Sequence, residues 1–431
     1  MANILDTPLF NYVASAYASM PDGSLANNSL YRTVTRMAGI PDEVLEQRDA
    51  VGERGELHNL VKRKIRWHQQ TLKHLGLLEK AERGTWQLTK AGKDQLRRIE
   101  SHVAVLGYST DLGICVWGAA ERVFERLDRP ITLCVTSIPY LLRKPRAYGN
   151  VQGEIEYVDF VCRIIEPVVR HLAPGGSICL NISNDIFEPG SPARSMYIER
   201  LLISLHDCLG LQLMDRLIWE SNKAPAPLQW ASLSRQQLQV GYEPVYWFTN
   251  DPHRVRSDNR RVLQEHTDRH LALIRKGGEQ RDASYCDGAY TLRKGKSFAN
   301  ETSGRIPRNV LHGFEAPVDE PSNLLYFANT CASKRRASKQ AKNIGLPTHG
   351  ATMPLALARF LVQFLTGGGE DELVADICSG WNTTGLAAEE LGVPWIASEI
   401  MWEYVRGGAE RFRGFPGFSL DKEFAAVCEW L

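Results

Sequence analysis

The segment that most restricts the fold of this chain reads as a strand, a tight turn, a helix and a second strand. Leu373 to Ile377 is a short apolar run, Thr383 to Leu391 has helical character, and Trp395 to Glu399 is apolar again. Strands that alternate with helices in this way build parallel sheets covered by helices. The segment therefore predicts an α/β fold with a βαβ unit late in the sequence.

The same alternation runs through residues 105–250. Ile131 to Val135 is a strand-like apolar run, and Tyr157 to Leu172 carries an apolar stripe at helical spacing. Pro167 lies inside that helix and predicts a kink or a break, because proline has no backbone N–H to donate. These residues extend the α/β prediction over a second part of the chain.

Residues 1–104 read as a small separate unit. Leu57 to Leu75 has apolar residues near helical spacing, and two short strands around Gly84 predict a hairpin. Thr89 follows the hairpin and is expected to cap a last helix. A helix, a hairpin and a helix in this order resemble a winged-helix DNA-binding domain.

The charge of this unit favours the same interpretation. Between Val51 and Glu100 there are twelve Lys or Arg against six Asp or Glu, and Lys62, Arg63 and Lys64 are consecutive on the predicted helix. A basic helix beside a wing suits contacts with phosphates. The alternative is a solvated helix face on a dimerisation or docking domain.

Residues 251–345 lose the alternation and are rich in Gly, Ser and Asn, so they predict an insertion of loops rather than a core segment. They carry eighteen Lys or Arg against eleven Asp or Glu. Their basic runs are Lys334, Arg335 and Arg336, and Arg254, Arg256, Arg260 and Arg261. Arginine reads guanine edges and both cations contact phosphates, so the insertion is a candidate for DNA recognition. For any single residue, a solvated loop is the alternative.

The composition excludes several classes of protein. Lys plus Arg is 51 and Asp plus Glu is 50, so the net charge of +1 excludes a wholly basic coat protein. No run reaches the ~20 apolar residues of a membrane span, and Met1 to Tyr17 lacks a secretory pattern, so a cytoplasmic protein is expected. No two cysteines have the spacing of a structural zinc site, so no metal is predicted.

A first candidate site is the turn of the βαβ unit, Asp376-Ile377-Cys378-Ser379-Gly380-Trp381-Asn382-Thr383-Thr384. Its small residues let the backbone approach a ligand, and free N–H groups at the helix start can bind a carboxylate. Glu399 ends the next strand, where a carboxylate can accept both hydroxyls of a ribose. The turn lacks the full Gly-x-Gly-x-x-Gly pattern, so an ordinary tight turn is the alternative to a nucleotide-type site.

A second segment, Thr136-Ser137-Ile138-Pro139-Tyr140, closes a strand. In this order, the two segments resemble the S-adenosylmethionine-dependent DNA amino-methyltransferases of the permuted beta class. In that family the catalytic motif, Thr-Ser-Pro-Pro-Tyr or Asp-Pro-Pro-Tyr, precedes the cofactor motif, Asp-Pro-Phe-x-Gly-Ser-Gly/Asn-Thr-Thr. Arg146 to Asn150 and His349 to Pro354 match further segments of the family.

The resemblance implies a Rossmann-like methyltransferase sheet with circularly permuted motif order and an inserted target-recognition region, beside the small N-terminal winged-helix domain that the order of helix, hairpin and helix predicts. It divides the chain into the N-terminal domain at 1–104, the catalytic part of the core at 105–250, the insertion at 251–345 and the cofactor-binding part at 346–431. The implied cofactor is S-adenosylmethionine, held by Thr136, Asp376, Cys378, Ser379, Gly380, Asn382, Thr383, Thr384 and Glu399. The predicted DNA contacts are Lys62, Arg63, Lys64, Arg146, Arg254, Arg256, Arg260 and Arg261.

The resemblance also assigns roles in the reaction. Ser137 and the carbonyl of Ile138 would accept hydrogen bonds from the target amine, and Tyr140 would stack on a base rotated out of the duplex. Pro139 belongs to the same motif. Alignment with the methyl group would supply much of the barrier reduction, without a covalent intermediate. Of the family's two motif forms, the one with Ser rather than Asp is more typical of methylation at the N4 amine of cytosine, and N6-adenine is the alternative.

Two departures from the family pattern leave another hypothesis open. Ile138 stands where the family has Pro, and Trp381 stands where a small residue normally sits. We expect retained activity, and the alternative is a DNA-binding protein on a degenerate methyltransferase scaffold. Double-stranded DNA is the expected partner, while a homodimer and a separately acting restriction endonuclease are left open by the resemblance.

Overall fold

The structure is a computed structural model. It describes residues 12–13, 16–17, 20, 23–38, 40–51, 56–74, 76–95, 103–141, 153–220, 227–311, 332–344, 346, 349 and 352–426. Within these ranges no helix is long and apolar enough to cross a membrane. The same residues contain no group of three side chains that would hold a metal ion.

The first region of the chain combines helices with a three-stranded antiparallel sheet. Its elements are β1 (Ser24–Ala26), α1 (Asn27–Met37), α2 (Asp42–Glu46), β2 (Asp49–Val51), β3 (Glu56–His58), α3 (Leu60–His74), β4 (Leu78–Glu82), β5 (Thr85–Leu88) and α4 (Lys90–Gln95). Strand β5 lies between β1 and β4. Buried Val34 and Ile65 of the helices share one core with Leu78 and Leu88 of the hairpin. The first region is therefore a helical unit whose core is shared with a small antiparallel sheet.

Two predictions for this region are confirmed. The hairpin turns at Gly84 between β4 and β5. The hydroxyl of Thr89 accepts a hydrogen bond from the N–H of Gly92 at 2.9 Å. Thr89 therefore caps α4, because it satisfies a backbone donor that the first helical turn leaves unpaired.

The start of the long helix differs from its prediction. Helix α3 begins at Leu60, because the Asn59 side chain accepts a hydrogen bond from the N–H of Lys62 at 2.7 Å. Leu57 pairs with Ala50 in the short β2–β3 hairpin instead of continuing the helix. The predicted start was too early, because apolar spacing alone does not reveal which polar side chain caps the helix.

A ten-stranded sheet occupies most of the described chain. The remaining elements are β6 (Ala104–Ser109), β7 (Gly113–Gly118), α5 (Ala120–Phe124), β8 (Ile131–Ser137), α6 (Glu154–Arg170), β9 (Leu172–Asn181), α7 (Tyr197–Leu209), β10 (Gln212–Glu220), β11 (Tyr242–Thr249), α8 (Asp268–Arg275), β12 (Ala283–Tyr285), β13 (Tyr290–Leu292), β14 (Val310–Leu311), α9 (Ala332–Asn343), α10 (Leu355–Leu365), β15 (Val374–Asp376), α11 (Thr383–Glu390), β16 (Trp395–Glu399), α12 (Trp402–Ala409), β17 (Ser419–Leu420) and α13 (Lys422–Ala426). The strand order is β14-β10-β11-β9-β8-β15-β16-β7-β6-β17. The five strands from β9 to β7 run parallel.

Side chains of the central strands alternate between two hydrophobic cores. Leu133 and Val135 of β8 join the core formed with α10, α11 and α12, whereas Cys134 joins the core formed with α6 and α7. This period of two follows from strand geometry, and burial on both faces explains why β8 is apolar throughout. The α/β prediction is confirmed, with helices covering both faces of the sheet.

Two expectations for the core need correction. The helix predicted around Pro167 is not split. Helix α6 runs from Glu154 to Arg170 with Pro167 inside it. Proline removes one backbone hydrogen bond, and the buried apolar face of α6, which includes Val161 and Ile165, packs in the core and offsets that loss. The insertion is not made of loops alone. Its strand β14 pairs with β10, and Leu311 is buried in the core.

Candidate active site

Both sequence motifs lie at the carboxyl edge of the sheet, where its parallel strands end. Ser137 ends β8, Asp376 ends β15 and Glu399 ends β16, and these three strands are neighbours in the sheet. Open α/β sheets bind their ligands outside the carboxyl ends of the strands. The fold therefore joins two segments that are far apart in the sequence into one site.

The residues of the first motif face different environments. The hydroxyl of Ser137 is 3.2 Å from Oδ1 of Asn181, and the hydroxyl of Tyr140 is 3.3 Å from Oε2 of Glu243. Ile138 is 1% exposed and packs in the core beside α6. The residue that departs from the family pattern thus turns its side chain into the core and leaves its polar neighbours at the site.

Asn181 and Glu243 are site residues that the sequence analysis missed. Asn181 ends β9, directly opposite Ser137, and Glu243 lies at the start of β11. Both side chains are almost completely buried, at 2% and 3% exposure. A signal was present, because a carboxylate inside the apolar run Tyr242–Thr249 needs buried polar partners.

The cofactor turn is held by the carboxylate of Glu399. Its Oε2 accepts a hydrogen bond from the N–H of Gly380 at 2.8 Å, and its Oε1 accepts one from Met401 at 2.9 Å. Gly380 has a φ of +53°, and a Cβ there would lie 2.9 Å from Nε2 of His349. Glycine is therefore favoured at this position by the backbone conformation and by the close approach of the neighbouring imidazole.

Asp376 is a buried carboxyl group without a cationic partner among the described residues. The N–H of Cys378 donates to its Oδ1 at 3.2 Å. Burial, with a smaller contribution from the nearby carboxylate of Glu399, raises the pKa of Asp376 from 3.8 to about 7, although hydrogen bonds from Thr136, Thr384 and Cys378 lower it. A cation placed beside Asp376 would stabilise its charged form, so the site is electrostatically suited to a positively charged ligand.

The last residues of this turn hold it in place through hydrogen bonds inside the protein. Asn382 caps α11 through a hydrogen bond from the N–H of Gly385 at 3.0 Å, and its own Nδ2 donates to the Tyr108 hydroxyl at 2.9 Å. The hydroxyl of Thr384 donates to the carbonyl of Val135 at 3.0 Å. These side chains are engaged inside the protein, and the N–H of Asn382 donates to the carbonyl of Ser379 at 2.7 Å, so the turn is held together by its own hydrogen bonds.

Thr136, Thr383, Cys378 and Ser379 complete the predicted cofactor set. Thr136, Thr383 and Ser379 are buried, and Cys378 is partly buried beside Asp376. The hydroxyl of Thr383 accepts a hydrogen bond from Arg411 at 3.0 Å. Thr136 belongs to β8, and Cys378, Ser379 and Thr383 follow β15, so this set spans the carboxyl ends of two neighbouring strands.

Trp381 fills a gap between two helices. Its side chain is 1% exposed and packs with Ala337 and Ala341 of α9. On α12, a Cβ at Gly407 would lie 2.8 Å from the indole Nε1. Small residues on both helices thus make room for the large side chain, which serves as a packing residue behind the cofactor turn.

The basic run Arg254, Arg256, Arg260 and Arg261 is not brought together with the motifs. Arg256 lies 3.2 Å from Glu372, just before β15, and Arg261 donates to the carbonyl of Thr366 at 2.6 Å. A Cβ at Gly175 would meet the carbonyl of Arg254, and Arg260 pairs with Asp258. The run therefore lies at the amino edge of the sheet. β8 has seven residues, so the two edges are about 20 Å apart.

The other basic run of the insertion lies near the site. Lys334, Arg335 and Arg336 belong to α9, which packs on Trp381 and α12. Ser333 of the same helix accepts a hydrogen bond at 3.1 Å from Arg411, which also donates to the carbonyl of Trp381. Helix α9 is therefore docked directly onto the cofactor turn.

The remaining predicted DNA contacts lie elsewhere. Lys62, Arg63 and Lys64 are on α3 in the first region, where Lys62 pairs with Glu46 at 2.9 Å. Arg146 lies outside the described residues. The predicted DNA-contacting residues that the structure describes therefore lie in three separate places: on helix α3 of the first region, at the amino edge of the large sheet and at its carboxyl edge.

Comparison with known proteins identifies the class. A family model described as DNA methylase matches residues 131–410, and a model described as Mrr N-terminal domain matches residues 11–98. The first match covers more than half of the chain, so the protein belongs to the DNA methylase family. It is an S-adenosylmethionine-dependent methyltransferase.

The relatives named for PvuII agree with this assignment. Type II methyltransferase M.PvuII of Proteus hauseri is 32% identical over 309 residues, which make up 71% of this chain and 85% of the relative. The structure of PvuII DNA methyltransferase (cytosine-N4-specific) has 25% identity and a TM-score of 0.51, covering 75% of this chain and 92% of that one. A more distant structure, an M1.HpyAVI–SAM complex, has 15% identity and a TM-score of 0.38, covering 68% and 94%.

The residues present fit the cofactor. S-adenosylmethionine carries an ammonium group and a sulfonium, and buried Asp376 offers a carboxyl group that a cation would return to its charged form. Glu399 ends the adjacent strand, and Gly380 keeps the turn free of a side chain. Asp376 and Glu399 would hold the polar ends of the cofactor, and the N–H groups at the start of α11 would face its carboxylate.

Proposed function

We propose that the protein is a site-specific DNA methyltransferase that methylates the N4 amine of cytosine, in association with restriction–modification. The observation that carries the proposal is the position of Ser137, a hydroxyl rather than a carboxylate, at the end of β8 beside the cofactor turn. The similarity to M.PvuII and to the cytosine-N4-specific PvuII structure supports the same target.

The chemistry needs alignment more than acid–base strength. The amine lone pair is delocalised into the cytosine ring, so the target nitrogen must be held in line with the methyl group. Ser137 and the carbonyl of Ile138 accept hydrogen bonds from the amine hydrogens and direct the lone pair towards the methyl. Tyr140 stacks on the cytosine, which must leave the duplex because its amine is otherwise paired. The bound cofactor supplies an electrophilic methyl group on a sulfonium.

We propose that helix α9 binds DNA phosphates beside this site. It contains five Lys or Arg and no acidic residue, and Arg335, Arg336, Lys339 and Lys342 are exposed. Its buried face rests on Trp381, so these cations lie at the same edge as Ser137. Phosphate contacts there would position a duplex next to the catalytic motif without reading its sequence.

The first region is proposed as a second DNA-binding module. The exposed side of α3 presents Arg63 and Arg66 together with Trp67, whose side chain is 64% exposed. An exposed indole on the same helix as two exposed guanidinium groups combines stacking and charge, which suits nucleic acid. The match to an Mrr N-terminal domain covers this helix.

The remaining organisation follows from the sequence analysis. We propose domains at 1–104, 105–250, 251–345 and 346–431, with target recognition in the third. We also propose a cytoplasmic location, a homodimer and a restriction endonuclease that acts separately on the same sequence.

The purified protein should be incubated with tritiated S-adenosylmethionine and mixed bacterial genomic DNA, and the labelled nucleoside identified after digestion. Label in N4-methylcytosine is the expected result. Label in N6-methyladenine would keep the family and overturn the target assigned to Ser137. No label, together with no cofactor binding by calorimetry, would favour a DNA-binding protein on a degenerate scaffold.

A further inference from the structure

We infer that Glu243 is a positioning residue that holds both polar side chains of the catalytic motif. It contacts Tyr140 directly and acts on Ser137 through Asn181. The inference rests on the proposed function and adds two residues outside the motif to the machinery of the reaction.

The geometry places one carboxylate between two partners. Glu243 is 3% exposed and lies on β11, which pairs antiparallel with β9. Its Oε2 is 3.3 Å from the Tyr140 hydroxyl and 3.3 Å from Nδ2 of Asn181. One buried oxygen therefore accepts hydrogen bonds from the motif and from the strand next to it.

These contacts fix which way the Asn181 amide points. Its Nδ2 faces two acceptors, the Glu243 carboxylate and the carbonyl of Pro244, the latter also at 3.3 Å. Reversing the amide would set its oxygen against two other oxygens in a buried place, where unsatisfied polar groups are costly. The Asn181 Oδ1 must therefore face Ser137.

The orientation of the amide decides the role of Ser137. Because Oδ1 is an acceptor, the Ser137 hydroxyl donates its proton to Asn181 at 3.2 Å. Its lone pairs are then turned towards the site, where they can accept from an amine N–H. A hydroxyl that pointed its proton at the amine would instead compete for the lone pair that attacks the methyl group.

The first test is Asn181→Asp, measured as the pH profile of kcat on DNA. The variant keeps the acceptor for Ser137 but sets a second carboxyl beside Glu243, and such a pair shares one proton at low pH. When the pair loses this proton, two like charges face each other and repel, which disturbs the brace on Ser137. We therefore expect activity at low pH that falls by at least about tenfold as the pH rises and the pair loses its proton. The wild type should lack this alkaline decline.

The matched control is Asn250→Asp, because Asn250 directly follows β11 and braces the amino end of β9. Asn250 makes the same kind of brace, accepting from the N–H of Gly175 at 2.9 Å and donating to the carbonyl of Ala173 at 3.0 Å. Its variant should lose stability and leave the shape of the pH profile unchanged. An alkaline decline in both variants would assign the effect to unfolding and overturn the inference.

The second test is Glu243→Gln, which preserves volume and can donate to Asn181. The Asn181 amide can then reverse and present its N–H groups to Ser137. We expect kcat to fall about 10- to 100-fold, with cofactor affinity unchanged in calorimetry. Wild-type kcat and an unchanged pH profile in both site variants would overturn the positioning role alone. A wild-type protein that transfers no methyl group to DNA would overturn the proposed function as well.

Discussion

Two buried carboxyl groups lie at the two ends of β15, and a comparison of their partners distinguishes a structural charge from a functional one. Glu372, just before the strand, accepts hydrogen bonds from three glycine N–H groups at positions 367–369 and faces Arg256 at 3.2 Å. Asp376, at the other end, takes hydrogen bonds from Cys378, Thr136 and Thr384 but has no ion-pair partner among the described residues, and burial raises its pKa to about 7. A buried carboxylate that a guanidinium holds in its charged form stabilises the fold, whereas a buried carboxyl group without a cation is available to a cationic ligand.

The basic runs of the insertion divide in the same way. Arg256 and Arg261 make contacts that tie the segment before α8 to the start of β15 and the end of α10. Arg335 and Arg336 lie on the exposed side of α9, beside the cofactor turn. Both runs look equally basic in the sequence. Their positions distinguish a structural clamp from a surface that faces the substrate.

The largest expected effect is that of Ser137→Ala at the carboxyl edge. It removes an acceptor for the target amine and should lower kcat about 10²- to 10³-fold, with cofactor affinity unchanged. Ser177→Ala is the matched change near the amino edge, where the serine hydroxyl accepts from Trp247 at 3.0 Å. That variant should lose stability and keep kcat per folded molecule. Equal losses of kcat would remove the distinction between the edges.

Much of this carboxyl edge could be predicted from the sequence, because its two motifs are local. Asp376 to Thr384 and Thr136 to Tyr140 each lie on one strand and its following turn, so residue type and spacing are enough to find them. Asn181 and Glu243 were not found, because they reach the site through the order β11-β9-β8. Strand order depends on long-range pairing that no local pattern records.

The amino edge could not be assigned for the same reason. Arg256 and Glu372 are 116 residues apart, so the sequence around the arginine does not show that its partner is a buried carboxylate.

Asn382 shows the opposite problem, in which a local motif suggests a role in binding that the structure assigns to capping. It looks like a ligand by motif, but its φ of +52° and its bond from Gly385 make it the cap of α11.

The next largest effect is expected for Trp381→Ser. Trp381 lies at the carboxyl edge of the sheet, but its role is structural. The indole is 1% exposed between α9 and α12, so its loss leaves a large cavity. Unfolding free energy should fall by about 3–5 kcal/mol, measured by urea denaturation, without tighter cofactor binding. A gain of several orders of magnitude in cofactor affinity would instead mean that the indole blocks the site. Trp381→Phe should recover part of the stability.

A smaller effect, confined to binding, is expected for Asp376→Asn. Burial holds the pKa of Asp376 near 7, and a cationic ligand favours its charged form, so binding must release a proton at lower pH. Cofactor affinity of the wild type should therefore weaken as the pH falls below about 7, by up to about tenfold per pH unit. The variant should bind about 10- to 100-fold more weakly above pH 7 and lose this pH dependence.

The control for Asp376 is Glu372→Gln at the opposite end of the same strand. It removes a charge that Arg256 and the glycine N–H groups hold in place, so it should lower stability. Cofactor affinity and its pH dependence should not change. A loss of affinity at Glu372 equal to that at Asp376 would show that both ends of β15 act through the stability of the strand.

The smallest effect compares the two basic runs by their contribution to DNA binding. Arg335→Ala with Arg336→Ala removes two exposed cations of α9, and Arg254→Ala with Arg260→Ala removes two at the amino edge. Removing one cation that binds a phosphate reduces the slope of log affinity against log salt by about 0.9. We expect the α9 pair to flatten this slope by up to about 2 and the amino-edge pair to leave it unchanged. The reverse result would support the sequence-based prediction for Arg254 and Arg260, and would place the duplex at the edge opposite Ser137.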